Sequence, residues 1–287
     1  MKKWIAMLLA GCMAAAMLAG CGSAADEGGT EAKDEYVYLD EVLGKEQYAI
    51  GFRKDDTELC ELVNAGLDAM AANGTFDEIG KKYPEIYDFL TLNKEVTADD
   101  SAETAAPEIE GKYGKGFVFK HGFDQDYPPY SHIGNDGKTT GFDVELAQAV
   151  CDYYGWKYEP VPFNWDAKDA ELKAGSCDCI WSGFTINGRE DDYLWSKTYS
   201  DNDQMIMVKK DSGIKTLEDL AGKTVGVQTS TSAYDMLNEG DQKALKDTFA
   251  SLEVYESYTI AFNDLKAGAI DAIAIDVTSG NHLMSGQ

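Results

Sequence analysis

Four short stretches hold the side chains that could do chemistry: "FDQDYPPY" with Asp124 and Tyr127, "SGFTINGRE" with Thr185 and Arg189, "QTSTSAY" with Gln228, Thr231 and Ser232, and "AIAIDVTSG" with Asp276. Together they offer a cation, an anion, a hydroxyl-rich helix start suited to an anion, and an aromatic face held by Pro128 and Pro129. That set matches a small zwitterion carrying a side chain, an α-amino acid. Each feature also has a plainer reading. Arg189 could be a solvated loop arginine, Asp276 the N-cap of a helix starting at Val277, the Thr231–Ser232 turn a simple cap, and Tyr127 one of sixteen tyrosines.

The elements that must position these groups alternate from Gly116 onward. "GFVFKHGF", "YEPVPF", "CDCIWSGF", "DQMIMVKK", "KTVGVQ", "LEVYES" and "AIDAIAID" read as strands. Between them lie helical stretches: Asp143 is expected to cap one stopped by Gly155, "AKDAELKAG" and "AYDMLN" are short, Thr216-x-x-Asp219 opens another, and "AFNDLKAG" is the last. The nearly continuous apolar strand "CDCIWSGF" indicates a parallel sheet covered on both faces. This is α/β architecture repeated in two units. In open α/β sheets ligands sit beyond the carboxyl ends of strands, where all four stretches fall.

Upstream, "QYAIGF" reads as a strand and Thr57 to Ala71 as an amphipathic helix with Leu59, Leu62, Val63, Leu67 and Met70 on one face. Asn73-Gly74 supplies its stop, and Thr75-x-x-Glu78 is expected to be the capping box of a second helix. This block is too small to bury a core alone and must pack onto the downstream chain, across an acidic linker at 94–111. At the start, Lys2, Lys3 and the apolar run Trp4 to Leu18 have the layout of a secretory signal at 1–21. The signal ends in "LAGC", and an acidic, small-residue tether comes next at 22–33.

With 51 acidic against 25 basic residues the net charge is −26, which excludes nucleic acid and anionic lipid surfaces as partners. Cys60, Cys151, Cys177 and Cys179 could be buried thiols or supply one disulfide. Three histidines are too few for a convincing metal site, and no metal or cofactor is expected.

The order "DYPPY", "GFDVELAQAV", "FNWDAKDAELKAG", "CIWSGFT", "SGIKTLEDLAGKTVGVQTSTS" and "LKAGAIDAIAID" resembles the extracellular solute-binding proteins of the polar amino-acid uptake family. These are type II periplasmic binding proteins that serve ABC transporters. "LAGC" likewise resembles the lipobox of bacterial lipoproteins, which implies lipid on Cys21. Leu39 to Tyr83 resembles the family's C-terminal segment, here placed ahead of the usual start. The resemblance therefore implies a circularly permuted two-lobed fold.

In that arrangement lobe 1 comprises 49–93 and 112–199, and lobe 2 comprises 34–43 and 204–287. Hinge strands are expected at 44–48 and 199–203, with closure as hinge motion. By motif position the resemblance gives Arg189 the ligand carboxylate, helped by Thr185, Thr231 and Ser232. It gives Asp276 the α-ammonium, assisted by the carbonyl of Gly183. It sets Tyr127 and Trp165 on either side of the side chain with Ser182 beside them, and Asp124 and Gln228 at the side-chain end.

Two departures bear on this. "ING" between Thr185 and Arg189 is one residue shorter than the family's usual loop, and Ile275 is apolar where some relatives carry a polar reader. Asp124 between aromatic walls suits a cationic or amide side chain, since a second carboxylate would be repelled. The implied partners are a free amino acid, the permease subunits of an ABC importer and the membrane through Cys21, for a monomer held outside the cytoplasm. The same fold also hosts dehydratase-like enzymes and ligand sensors of signalling systems. An enzyme needs a general acid at a reacting bond, and the amino-acid clamp leaves only Asp124 spare.

Overall fold

The computed structural model describes residues 35–92 and 106–286. The signal segment, Cys21, the tether and most of the 94–111 linker lie outside the described residues. The first strand, β1 (Tyr36–Tyr48), is followed after two buried residues by β2 (Gly51–Phe52). The single strand expected over "QYAIGF" is thus divided. The Ala49 N–H leaves the ladder for the Phe184 carbonyl at 3.0 Å, and the Ile50 N–H for Ser196 Oγ at 2.8 Å.

Helix α1 (Thr57–Ala72) buries Leu59, Val63, Leu67 and Met70, as its periodicity predicts. It ends at Asn73, with Gly74 at φ +84°, a left-handed conformation that glycine takes without penalty. Helix α2 (Thr75–Gly80) starts at once, so Gly74 takes the cap position and the expected Thr75–Glu78 box does not form. Instead the Thr75 N–H donates to Asn73 Oδ1 at 3.0 Å.

Strand β3 (Val118–Asp124) leads into the small sheet of β4 (Asp126–Tyr127), β5 (Ser131–Ile133) and β6 (Thr139–Thr140). Helix α3 (Phe142–Tyr154) ends at Gly155 as expected, but Gly141, not Asp143, holds its N-cap. The Asp143 carboxylate turns inward and accepts from the Gly183 N–H and the Tyr199 hydroxyl, both at 2.8 Å. Next come β7 (Lys157–Phe163), a 3-10 turn at Trp165–Ala167, α4 (Lys168–Ala174), β8 (Cys179–Ile180), β9 (Leu194–Trp195) and β10 (Ser200–Lys209). Strand β8 is shorter than the apolar run predicts because Trp181–Thr185 turns aside toward the cleft.

The capping box on Thr216 and Asp219 is present and opens a 3-10 turn at Leu217–Leu220. Beyond it lie β11 (Thr224–Gln228), α5 (Ser232–Asn238), α6 (Lys243–Lys246), β12 (Ser251–Tyr255), α7 (Tyr258–Ala267), β13 (Ala272–Asp276) and α8 (Val277–Ser285).

These elements build two lobes. Lobe 1 carries the sheet β7-β3-β8-β2-β9, and lobe 2 the sheet β1-β10-β13-β11-β12. The early block is integral to both. In lobe 1, β2 lies between β8 and β9, antiparallel to each, and in lobe 2, β1 pairs with β10 from Tyr36↔Lys209 to Tyr48↔Ser200. The positions expected as hinge strands, 44–48 and 199–203, therefore belong almost wholly to the paired β1–β10 ribbon. The chain passes between sheets at Ala49–Ile50 and again at Ser196–Tyr199.

Burial of both sheet faces is visible in β13. Ala272 and Ala274 pack with Val225, Val227 and Leu237, while Ile273 and Ile275 face a second cluster with Tyr48, Tyr127 and Tyr258. All four described cysteines outside the signal are buried free thiols.

Candidate functional site

The cleft between the lobes holds a cavity lined by Asp124, Tyr127, Trp165, Ser182, Gly183, Thr185, Arg189, Gln228, Thr231, Ser232 and Asp276. These are the eleven residues singled out in the sequence, brought together from strand ends on both lobes. The cavity measures about 20 Å3, room for about one water molecule. Ligand pockets start at roughly 300 Å3. The lobes are therefore pressed shut, and any small molecule entering must part them.

Asp276 is the last residue of β13 and occupies the N-cap position of α8, yet its side chain caps nothing. Its Oδ1 accepts from the Tyr48 hydroxyl at 2.6 Å, Asn202 Nδ2 at 2.8 Å and Gln204 Nε2 at 2.6 Å. Burial holds its proton affinity above the ordinary carboxylate range. The Tyr48 hydroxyl also meets the Tyr127 hydroxyl at 2.9 Å, joining lobe 1 to this acid.

Arg189 ends a tight turn in which its N–H donates to the Ile186 carbonyl at 2.9 Å. Its side chain is 12 % exposed and packs over the Phe184 ring. Nη1 donates to the Thr185 carbonyl at 3.4 Å. Nη2 crosses the cleft to Asp235 Oδ2 at 2.6 Å and the Ser230 carbonyl at 3.4 Å. The Ser230 carbonyl also accepts from Trp165 Nε1 at 3.0 Å and Lys168 Nζ at 3.3 Å. Ser230 stands at φ +57°, the left-handed region, so its backbone is held in an uncommon conformation where three lobe 1 donors converge. Burial lowers the Lys168 ammonium to about 8.

At the far end, Asp124 Oδ2 accepts from Gln228 Nε2 at 2.8 Å across the cleft, and Oδ1 from the Asp126 N–H at 3.0 Å. Burial raises Asp124 to about 7 against the pull of these two donors. Ser182 Oγ lies 2.6 Å from Ser131 Oγ and accepts the Asp124 N–H at 3.1 Å. Gly183 has φ +52°, and a Cβ there would lie 2.6 Å from the Tyr127 ring. Only glycine lets the aromatic wall approach this closely. Thr231 Oγ1 caps α5 by accepting the Tyr234 N–H at 3.2 Å and donates to the Gln228 carbonyl at 2.8 Å. Ser232 Oγ accepts from Gln204 Nε2 at 3.1 Å.

Sequence reasoning missed the layer behind Asp276. Glu46, Asn202 and Gln204 are each at most 2 % exposed, and Glu46 Oε2 accepts from both amides at 3.0 and 3.1 Å. The available signal was polar residues at alternate positions, Glu46 with Tyr48 and Asn202 with Gln204, which share one face of each strand. Asp235 was missed as well; it lies on the first turn of α5 and meets Arg189 from 46 residues away in sequence.

The family model of bacterial extracellular solute-binding proteins, family 3, matches residues 119–259. The L-cystine-binding protein TcyJ of Escherichia coli K12 is 34 % identical over 158 residues, covering 54 % of this chain and 57 % of that protein. ABC transporter arginine-binding protein 1 of the same organism is 31 % identical over 163 residues, covering 56 % and 63 %. The chain thus spans less than two thirds of the length of these two curated relatives. A solved ABC uptake transporter substrate-binding protein from Streptococcus pneumoniae, with bound histidine, is 35 % identical with a TM-score of 0.56, covering 59 % of this chain and 70 % of that one.

Proposed function

Because the chain belongs to the bacterial extracellular solute-binding proteins of family 3, we propose that it captures a free amino acid between its two lobes outside the cytoplasm and hands it to an ABC importer. The observation that carries this reading is the placement of Arg189 and Asp276, from opposite lobes, on the wall of one cavity. The guanidinium takes the ligand carboxylate bidentately and Asp276 takes the α-ammonium, both as charge-assisted bonds in a water-poor cleft. Thr185, Ser232 and the Gly183 backbone complete the two ends, and Tyr127 and Trp165 wall the side chain.

Asp124 and Gln228 read the side-chain tip. An acid beside an amide in a buried pocket favours a cationic or amide side chain over a carboxylate. The protein works as a binding protein and not as an enzyme, because the groups that line the cavity are consumed in gripping a zwitterion. It acts as a monomer, tethered by lipid on Cys21.

The fold is a circular permutant of its family. What supports this is that β2 completes the lobe 1 sheet although it precedes the matched region 119–259. Thermal unfolding in the presence of each of the twenty amino acids and cystine tests the function. A ligand that binds only the folded state raises the midpoint. Basic or amide-bearing amino acids are expected to give the largest rise; no rise with any of them rejects the proposal.

A further inference from the structure

We propose that Glu46 and Asp276 share a single proton in the shut cleft and that the ligand's ammonium takes its place, so that each amino acid captured sends one proton to solvent. The inference rests on the proposed amino-acid capture and adds to it a second acid that does not line the cavity.

The geometry arises from strand register. Glu46 on β1 lies opposite Asn202 on β10, and Gln204, two residues further along β10, lies opposite Asp276 on β13. Residues two apart on a strand share a face, so the pleat of β10 sets both amides between the two acids. Each amide nitrogen reaches both carboxyls. Asn202 Nδ2 is 3.0 Å from Glu46 Oε2 and 2.8 Å from Asp276 Oδ1, and Gln204 Nε2 is 3.1 and 2.6 Å from the same atoms. Glu46 Oε1 is fully buried and has no partner among the described residues.

Two buried carboxyls that share the same two amide donors cannot both ionise without a positive partner, so they titrate as one unit. Burial and then the charge of Asp276 push Glu46 well above the carboxylate range, and burial raises Asp276 as well. The other ionisable groups facing the pair are phenols: Tyr38 and Tyr48 from β1, Tyr127 from β4, Tyr130 beside β5 and Tyr258 from α7. Burial holds each of them neutral, so none adds a negative charge, and a phenol has no cationic form to neutralise the pair.

An ammonium arriving at Asp276 supplies that charge. It favours the ionised form of both acids, and the proton between them leaves to solvent. The exchange keeps the buried charge at one negative unit before and after. A solitary aspartate would gain the ammonium without losing a proton; Glu46 is therefore a positioning residue that makes capture depend on pH. Affinity rises with pH below the titration of the pair and levels off above it.

Two measurements on the full chain test this. Carbon-13 NMR of δ-labelled glutamate in the ligand-free protein is expected to show one glutamate titrating far above the ordinary value of about 4.3, absent from Glu46→Gln. All glutamates titrating in the ordinary range would overturn the shared proton whatever ligand binds.

Calorimetry near pH 7, with the amino acid giving the largest thermal shift and buffers of different ionisation enthalpy, is expected to show release of about one proton per ligand. In Glu46→Gln the release falls to near zero while the same amino acid still binds. Binding without release in the wild type overturns the exchange. Absence of binding by any amino acid, with Glu46 still titrating high, rejects the amino-acid reading and the release step together.

Discussion

The Arg189 guanidinium meets the Asp235 carboxylate at 2.6 Å across the mouth of the cleft, tying a lobe 1 turn to the first turn of α5 in lobe 2. In the proposed grip the carboxylate of an incoming amino acid competes with that side chain for the same Nη2. Asp235 is 56 % exposed, so the pair is screened and worth about 1 kcal/mol or less. Asp235→Asn is expected to tighten amino-acid binding several-fold by calorimetry. Weaker binding in this variant would mean that Asp235 supports the closed form instead of competing with the ligand.

In the proposed grip Arg189 supplies affinity and Gln228 supplies choice. Arg189→Ala removes the only guanidinium among the described residues that line the cavity and would leave the ligand carboxylate of the proposed grip buried without a partner, a loss of about 3 kcal/mol or more. Binding of every amino acid is expected to fall at least a hundredfold. Gln228→Ala frees Asp124 Oδ2 from its 2.8 Å bond and is expected to reorder the preferred amino acids without abolishing capture. The same titrations read both variants, and unchanged affinity in the arginine variant would remove the carboxylate assignment.

Asp143 makes stability depend on pH. Burial raises it to about 7 while it accepts from Gly183 and Tyr199. Between its unfolded value near 4 and about 7, the unfolded chain has lost the proton that the folded chain keeps. Its contribution is therefore full at low pH and is lost as pH rises through that window, on the order of a few kcal/mol.

His121 works in the opposite direction. Burial lowers it to about 4, so its contribution is present above pH 6.5 and is lost as pH falls toward 4. Asp143→Asn keeps a side-chain carbonyl acceptor without the ionisation. Urea unfolding from pH 4 to 7 is expected to show less loss of stability with rising pH in the variant than in the wild type.

The early block should be indispensable and movable. Deleting 35–92 removes β2 from between β8 and β9, along with the buried Ile50, Phe52, Leu59, Val63, Leu67 and Phe76. A chain reduced to 106–286 is expected to show no cooperative unfolding. Joining 35–92 through a flexible linker after residue 286 gives the order from which the chain is proposed to be permuted and is expected to recover both cooperativity and ligand preference. Failure to recover either would argue against permutation.

How far the sequence could be read depends on which features are local. Helix α1 was legible nearly to its last residue because its apolar positions recur every three or four and Asn73-Gly74 ends it. That Arg189 and Asp276 line one cavity was legible from their places beyond strand ends together with the family resemblance, since either residue alone also fitted a plainer reading. The break at Ala49–Ile50 was not, since it depends on Ser196 and Phe184, more than a hundred residues away, drawing the backbone off its ladder.

Glu46 stayed hidden for the same reason. One acid on a half-polar strand gains meaning only when β1, β10 and β13 come into register. Asp143 looked like a cap because helix starts favour aspartate, but Gly183 and Tyr199 offered it better partners inside.

Capture of a dipolar ligand is tested most directly by calorimetry of the wild-type protein with its best amino acid and the same molecule blocked at one end. The N-acetyl derivative loses the ammonium proposed to meet Asp276, and the C-terminal amide loses the carboxylate proposed to meet Arg189. The free amino acid is expected to bind and each blocked form to lose at least a hundredfold in affinity, about 3 kcal/mol. Equal binding of either blocked form would contradict the two-ended grip.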